Sequence, residues 1–330
     1  MAYGKDTSTS ATEIEEIRKF LKSNCIAVRP GAYLVDSVPW LKYIPWYGLQ
    51  LKREGEMRRL IYTNDLNRVK EQLKINADIG PSFARYMLEN EDAYGLTKTE
   101  ITCLAGDLVD TTAMVICTVL MAAARFPEEQ AKVQTELDAV LGSHRAPTFA
   151  DENSLPHLYA FISETLRWRL LAPHGAHLHC WSVSEVHNVH PGIPHRTTKE
   201  VIWENYCIPA GTTVLGNHLA ISRDPEVFPE PDEFKPDHWV NDPRDDLKKF
   251  TFSFGRHICP ALHVANSSIF INSALVLWAL RLALDPAKPL HDMTLMAGMP
   301  PVEEPCVVEF KTRISEAALR RIMKIYPEVA

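Results

Sequence analysis

Apolar and polar positions recur with a helical period through most of this chain. Residues 1–10 are polar and predict a loose start, and Thr12 to Ser23 carries helical spacing. Residues 29–47 break the period. Pro30-Gly31, Pro39-Trp40 and Pro45-Trp46 predict an irregular apolar connection, either a packed loop or an element that touches a membrane or lines a substrate channel. A charged amphipathic helix follows from about Leu51 to Ile75, then a short one from Pro81 to Glu91. Thr97 with Glu100 has the spacing of a capping box and opens a long helix over about 98–125. Pro127 and Pro156 open two more, ending at Leu141 and near Arg169, because the first helical N–H has no intrahelical partner to lose.

From Val201 the pattern turns to short strands. Ile208-Pro209-Ala210-Gly211-Thr212 predicts a hairpin, and Arg223-Asp224-Pro225 and Phe228-Pro229-Glu230-Pro231 are loop signals. The apolar run from Val264 to Leu284 predicts a buried helix, and weak alternation over 305–313 predicts a late strand. The pattern as a whole is mainly α with a small β portion.

Composition narrows the picture by exclusion. The chain has 330 residues, long enough for one large domain or two ordinary ones. A net charge of −7 without a basic run offers nothing to nucleic acid. The seven cysteines are odd in number, lie far apart and follow no signal peptide, so they predict reduced thiols rather than a disulfide framework. The nearest candidate for a membrane span, Ile101 to Phe126, carries Asp107 and Asp110 midway. Carboxylates at that depth are costly in lipid, so a buried core helix is expected there.

The candidate chemistry centres on Phe252-Ser253-Phe254-Gly255-Arg256-His257-Ile258-Cys259-Pro260-Ala261. A glycine ahead of a cysteine loop lets backbone N–H groups turn toward sulfur, and Pro260 stands where a helix begins. A thiolate so placed can bind a metal, whereas most free cysteines are simply buried. Two other clusters stand out. Asp107, Asp110 and Thr111 share one face of the long helix, and Glu164 and Arg167 are three residues apart on another.

Phe252-x-x-Gly255-x-x-x-Cys259-Pro260 resembles the haem-ligand loop of the cytochrome P-450 monooxygenases. Three further motifs occur in that family's order: Asp110-Thr111-Thr112, Glu164-x-x-Arg167 and Phe234-x-Pro236-Asp237-x-Trp239. The resemblance runs from about residue 11 to 313, and its texture is that of fungal microsomal members of secondary metabolism. It implies a cytochrome P-450 fold lacking its N-terminal helices, with residues 1–330 forming a single domain. It also implies haem, with Cys259 as the axial ligand, and His195, His257 and Phe252 as further haem contacts. Asp110 and Thr111 would relay protons to bound oxygen, and Glu164 and Arg167 would brace the fold beneath the haem. Electrons would come from NADPH through a reductase docking where Lys248, Lys249 and Arg256 offer positive charge. The substrate would be a small apolar organic molecule. Location would be the cytosolic face of the endoplasmic reticulum membrane, or the cytoplasm, since no clean span is present.

Departures from the family pattern carry expectations of their own. Leu108 stands where the family has glycine, and overpacking there would cost about 1–3 kcal/mol. His238 replaces an arginine of the buried Glu-x-x-Arg network, and losing one partner of such a network costs on the order of 3–5 kcal/mol when nothing compensates. Ala261 replaces a glycine. Six of the thirteen histidines fall between 174 and 195, with Cys180 beside them. Zinc ligation is one reading of them. The flanks favour another, because Leu171-Ala172-Pro173 should run almost directly into Gly192-Ile193-Pro194-His195, which makes 174–191 an insertion. The alternatives for function are a relative that is inactive, a haem-thiolate protein working with peroxide or as an isomerase, and a helical protein with no cofactor.

Overall fold

The computed structural model describes residues 33–36, 38–75, 82–142, 144–170, 195–214, 216–241, 250–259, 261–287 and 307–324. The helix at Thr12–Ser23, the His-rich stretch 174–191 and the pair Lys248-Lys249 therefore lie outside the described residues. The chain divides into two compact units, with the boundary after Ala113.

In the first unit, α1 (Leu49–Lys74), α2 (Phe83–Glu89), a single turn α3 (Glu91–Tyr94) and the start of α4 (Lys98–Arg125) follow the predicted pattern. Leu66 and Val69 of α1 close on Ala84 and Met87 of α2 and Ile101 of α4 in one buried cluster. The predicted capping box opens α4. Glu100 Oε2 accepts from Thr97 N and Thr97 Oγ1 at 2.7 Å each, while Thr97 Oγ1 accepts from Glu100 N at 3.3 Å. These bonds from Thr97 hold the Glu100 carboxyl below its ordinary value. Ahead of α1, the Pro/aromatic connection forms short 3-10 turns at Leu34–Asp36 and Pro39–Tyr43, with Trp40, Tyr43 and Trp46 exposed.

The second unit packs the end of α4, α5 (Pro127–Leu141), α6 (Pro156–Trp168) and α9 (Leu262–Ala279) around one core. Leu137, Leu158, Phe161, Ile269, Phe270, Leu277 and Trp278 are its largest fully buried apolar side chains apart from Leu155 and Leu282. α9 buries Ala265, Ile269, Phe270, Ile271, Ala274, Leu277 and Trp278, while His263 and Val264 at its start are exposed. It is long enough and apolar enough to span a membrane, but 56% of it is buried inside the protein. It is the core helix.

α6 is placed with care at its start. Glu136 of α5 accepts from His157 N at 2.9 Å and Leu158 N at 3.0 Å, which satisfies two of the N–H groups a helix start leaves open. Just upstream, Arg145 forks onto Asp151 at 2.8 and 2.6 Å. That guanidinium holds the Asp151 carboxyl well below the usual carboxylate range, at about 2.

The β portion consists of three two-stranded antiparallel pieces. β1 (His195–Arg196) pairs β4 (Thr213–Val214), β2 (Val201–Trp203) pairs β3 (Tyr206–Ile208), and β5 (Leu280–Leu284) pairs β6 (Val308–Thr312). Two expectations are corrected here. The hairpin turn lies at Glu204-Asn205, while Pro209–Gly211 is a turn that carries the chain from one sheet to another. The apolar run 264–284 is also not one helix, because it changes to strand at Leu280.

Apolarity alone does not distinguish the two conformations, and tertiary hydrogen bonds do. Arg313 Nη1 donates to the Leu277 and Trp278 carbonyls at 3.1 and 2.8 Å, closing the end of α9. Gln130 then binds Leu282 on both sides, donating to its carbonyl at 2.9 Å and accepting from its N–H at 2.8 Å. Past β6, the chain adds α10 (Glu316–Lys324), which sends Ile322 into the core. Sequence pattern did not anticipate that helix.

Candidate functional site

The site rests on a buried ion pair. α6 is buried on every face from Ala160 to Trp168, so its two charged residues cannot reach water. Glu164 and Arg167 are each fully buried in their side chains and meet in a fork. Arg167 Nε donates to Glu164 Oε2 at 2.8 Å and Nη2 to Oε1 at 2.7 Å. The remaining guanidinium hydrogens go to backbone carbonyls: Nη1 to Ser222 and Pro231 at 2.8 and 2.7 Å, Nη2 to Glu233 at 2.9 Å. All five donors are thereby used, the condition under which a buried guanidinium is tolerated.

Glu164 is equally complete. Besides Arg167 it accepts from Lys235 N at 2.7 Å and Trp239 Nε1 at 2.9 Å. Lys235 and Trp239 flank α8 (Asp237–Asn241) on one side and lie within it on the other, so the carboxylate fixes that segment against α6. His238 Nδ1 stands 4.0 Å from Glu164 Oε1 and, among the described residues, has no hydrogen-bond partner. The expected penalty for lacking the arginine is therefore corrected. Glu164 has four donors without it, one from the indole of Trp239 and one from the Lys235 backbone.

Above this brace runs the cysteine loop. Phe250–Phe252 forms a 3-10 turn, Ser253 takes φ +74°, Phe254 is extended and Gly255 takes φ +57°. A second turn, Gly255–His257, leads to Cys259. Two left-handed residues bracketing an extended one fold the strand back on itself, so that Cys259 N donates to the Phe252 carbonyl at 2.9 Å. Leu262 N donates to the Cys259 carbonyl at 3.2 Å, leading into α9. Cys259 is half-buried, and around it Phe254, Ile258 and Val264 expose apolar surface.

Phe252 turns its ring inward onto the core. There it lines a half-open cavity of about 390 Å³ with Ile162 and Leu166 of α6 and Leu262, His263 and Phe270 of α9.

The segment after β4 packs on this loop. A Cβ on Gly216 would sit 2.7 Å from the Phe254 ring, so a side chain there would have to displace that ring. His218, the first residue of α7 (His218–Ser222), meets Phe254 edge-on at 5.1 Å and Phe250 at 6.2 Å. Burial first, and the nearby His195 charge second, push its pKa down. β1–β4 pairing sets His195 opposite Val214, four residues ahead of His218 in the chain.

Of the residues singled out by sequence, Cys259 and Phe252 are joined by one backbone hydrogen bond, and His195 stands on β1 opposite Val214. The His257 side chain lies outside the described residues. So do the side chains of Asp110, Thr111 and Leu108 in α4. Gly216 and His218 were missed by sequence reasoning, since nothing in their local spacing marks them. The backbone carbonyls around Arg167 have no side-chain signature at all.

These residues fit a flat apolar macrocycle on the sulfur. Cys259 is half-buried, and Phe254, Ile258 and Val264 around it in the chain are exposed and apolar. Among the described residues no cluster of three metal-ligating side chains is present; the residues of the zinc reading other than His195 lie outside them.

A family model described as Cytochrome P450 matches residues 2–179 and 186–304. The break between those segments falls within 174–191. The chain is 42% identical over 327 residues to cytochrome P450 monooxygenase 113 of Postia placenta, covering 96% of this chain and 62% of that protein. It is 33% identical over 297 residues to a cytochrome P450 monooxygenase of Armillaria gallica, covering 84% and 53%. It is 34% identical over 257 residues to cytochrome P450 monooxygenase drtD of Aspergillus calidoustus, covering 75% and 44%. The chain therefore spans less than two thirds of the length of these relatives.

Proposed function

Because the chain belongs to the cytochrome P450 family, we propose that it works as a haem-thiolate monooxygenase, placing one atom of dioxygen into a small apolar organic substrate. Family membership implies haem. The observation that carries the reading is Cys259, half-buried at the head of α9 in a loop whose fold-back is held by the Phe252 carbonyl. In this reading its sulfur would hold the haem iron. Bound haem would supply dioxygen activation, with a thiolate ligand favouring O–O cleavage.

The chain's own residues do the rest. Glu164 and Arg167 keep the loop's support from shifting, His195 and His257 hold the haem carboxylates, and Asp110 and Thr111 pass protons. The acid-and-hydroxyl order of Asp110-Thr111-Thr112 supports that last role. Electrons arrive from NADPH through a reductase on the Cys259 side, where Arg256 is exposed. Exposed Trp40, Tyr43 and Trp46 support contact with a membrane surface, since amphipathic rings settle at the headgroup level. The relatives are fungal monooxygenases, and a place in secondary metabolism is part of this proposal. The stretch 174–191 is an insertion in a segment that otherwise lines the substrate pocket.

The test is the reduced, carbon monoxide-bound spectrum of the purified chain. A thiolate band that Cys259→Ala abolishes supports the reading. A colourless protein from haem-supplemented cells, or a band unchanged by Cys259→Ala, defeats it. A second reading, a haem-binding relative without turnover, is favoured by Leu108 in place of glycine. It predicts the thiolate band with no NADPH- and reductase-dependent product.

A further inference from the structure

β6 is an edge strand with a free side. It pairs with β5 in one regular antiparallel register, from Leu280 opposite Thr312 to Leu284 opposite Val308. Arg313 N donates to the Ala279 carbonyl at 2.9 Å and Asp285 N to the Val307 carbonyl at 3.1 Å, which fixes the phase of the ladder. Hydrogen-bonded pairs alternate along an antiparallel ladder, so Glu309 and Lys311 turn their backbone groups toward β5. Val308, Phe310 and Thr312 turn theirs away from it, and among the described residues nothing meets them. The Phe310 ring is 54% exposed, although Leu282 opposite it is 1% exposed in the core. An edge of this kind is a template for another strand, and proteins usually blunt it with a proline, a bulge or charge. β6 has no proline and its register carries no bulge. Its charges are one acid and one base, Glu309 and Lys311, on either side of Phe310.

We propose that this edge is a self-association surface, to which β6 of a second copy of this chain adds antiparallel about Phe310. The order of the charges singles out that arrangement. Glu309 of each copy then faces Lys311 of the other, twice by symmetry, and Phe310 faces Phe310. The two ion pairs fall at the non-hydrogen-bonded positions, where side chains on neighbouring strands lie closest. Parallel pairing in register would set Glu309 on Glu309 and Lys311 on Lys311, and like charges directly opposite repel. The outward N–H and C=O groups of Val308, Phe310 and Thr312 meet their counterparts across the two-fold axis, one patch serving both copies. Lys311 gains most. In its own sheet it stands opposite Arg281, a like charge, and reaches Glu309 along the strand at 3.3 Å. Glu309 of the second copy sets an acid on its open side. The strand is five residues long, so the surface is small and the association weak, in the micromolar range or above.

Sedimentation equilibrium of the purified full chain over a concentration series tests this, and a reversible monomer–dimer equilibrium is expected. Glu309→Lys makes both cross-copy pairs repulsive and should weaken the dimer roughly tenfold. Lys311→Glu should do the same. The double exchange, Glu309→Lys with Lys311→Glu, should restore the parent affinity, because each acid again faces a base. A chain that stays monomeric at every concentration overturns the proposal. So does a dimer that Glu309→Lys leaves unchanged, or one that the double exchange fails to recover. In those two cases the copies meet elsewhere, as at the exposed Ile202, Trp203 and Tyr206. If the single variants fail to fold, judged by circular dichroism, amide hydrogen exchange of the parent decides. The Val308, Phe310 and Thr312 amides should exchange more slowly as concentration rises, and rates independent of concentration overturn the proposal. Slow exchange already at the lowest concentration means that another stretch of the same chain covers the edge, and overturns it equally.

Discussion

The Glu164–Arg167 brace and the Cys259 loop lie in the same unit and are built on opposite terms. In the brace the five donors of Arg167 and the four bonds to Glu164 are sealed from water, with the neighbouring His238 Nδ1 left without a hydrogen-bond partner among the described residues. In the loop a short run of backbone bonds holds two left-handed residues, and Phe254 and Ile258 are exposed. The difference teaches where rigidity is kept. It sits in the buried contacts of α6, while the loop that carries the candidate chemistry is the more open half.

That contrast can be attacked from either side. Arg167→Ala should do the most damage, because it strands Glu164 as a buried charge and opens three carbonyls. A loss of about 3–5 kcal/mol is expected, and denaturant unfolding would show it as a collapse of the midpoint. A loss under 1 kcal/mol would mean the brace is not the rigid half of the molecule. Trp239→Phe removes one hydrogen bond to the same carboxylate and keeps the ring. It should cost about 1.5–3 kcal/mol, while a neutral result would show that water or His238 takes over.

On the loop side the expected effects are small, and one has the opposite sign. Ser253→Gly should raise stability by about 0.5–1 kcal/mol, since glycine adopts φ +74° without strain. A fall in Tm would reveal a role for the serine hydroxyl. His238→Arg should move stability by less than about 1 kcal/mol, because Glu164 is already saturated and the brace lacks nothing an arginine supplies. A gain of about 3–5 kcal/mol in thermal or denaturant unfolding would show instead that the network is open at that position.

Much of the helical frame could be read from the chain. Pro127 and Pro156 mark helix starts, Thr97 with Glu100 marks another, and all three stand where the structure has them. The reason is physical, since caps and helix-starting prolines act within one turn. Leu280 was not legible. Its neighbours are as apolar as those of α9, and the change to strand is dictated by Gln130 and Arg313, which are remote in sequence. The site divides in the same way. Cys259, Glu164 and Arg167 lie in local motifs, whereas the carbonyls of Ser222, Pro231 and Glu233 carry no side-chain signal. His238 shows the limit of reasoning by motif, because counting a missing arginine could not foresee that Glu164 receives four other donors, the indole of Trp239 among them.

Gly216 has a consequence for how this molecule can vary. A side chain added there would enter the space of the Phe254 ring. An enlargement at 216 is answered either by a turn of that ring, which is exposed, or by a smaller residue at 254. A library that resizes the surroundings of Cys259 should therefore couple those two codons, treating the pair as a single hinge pin between the second strand segment and the sulfur loop.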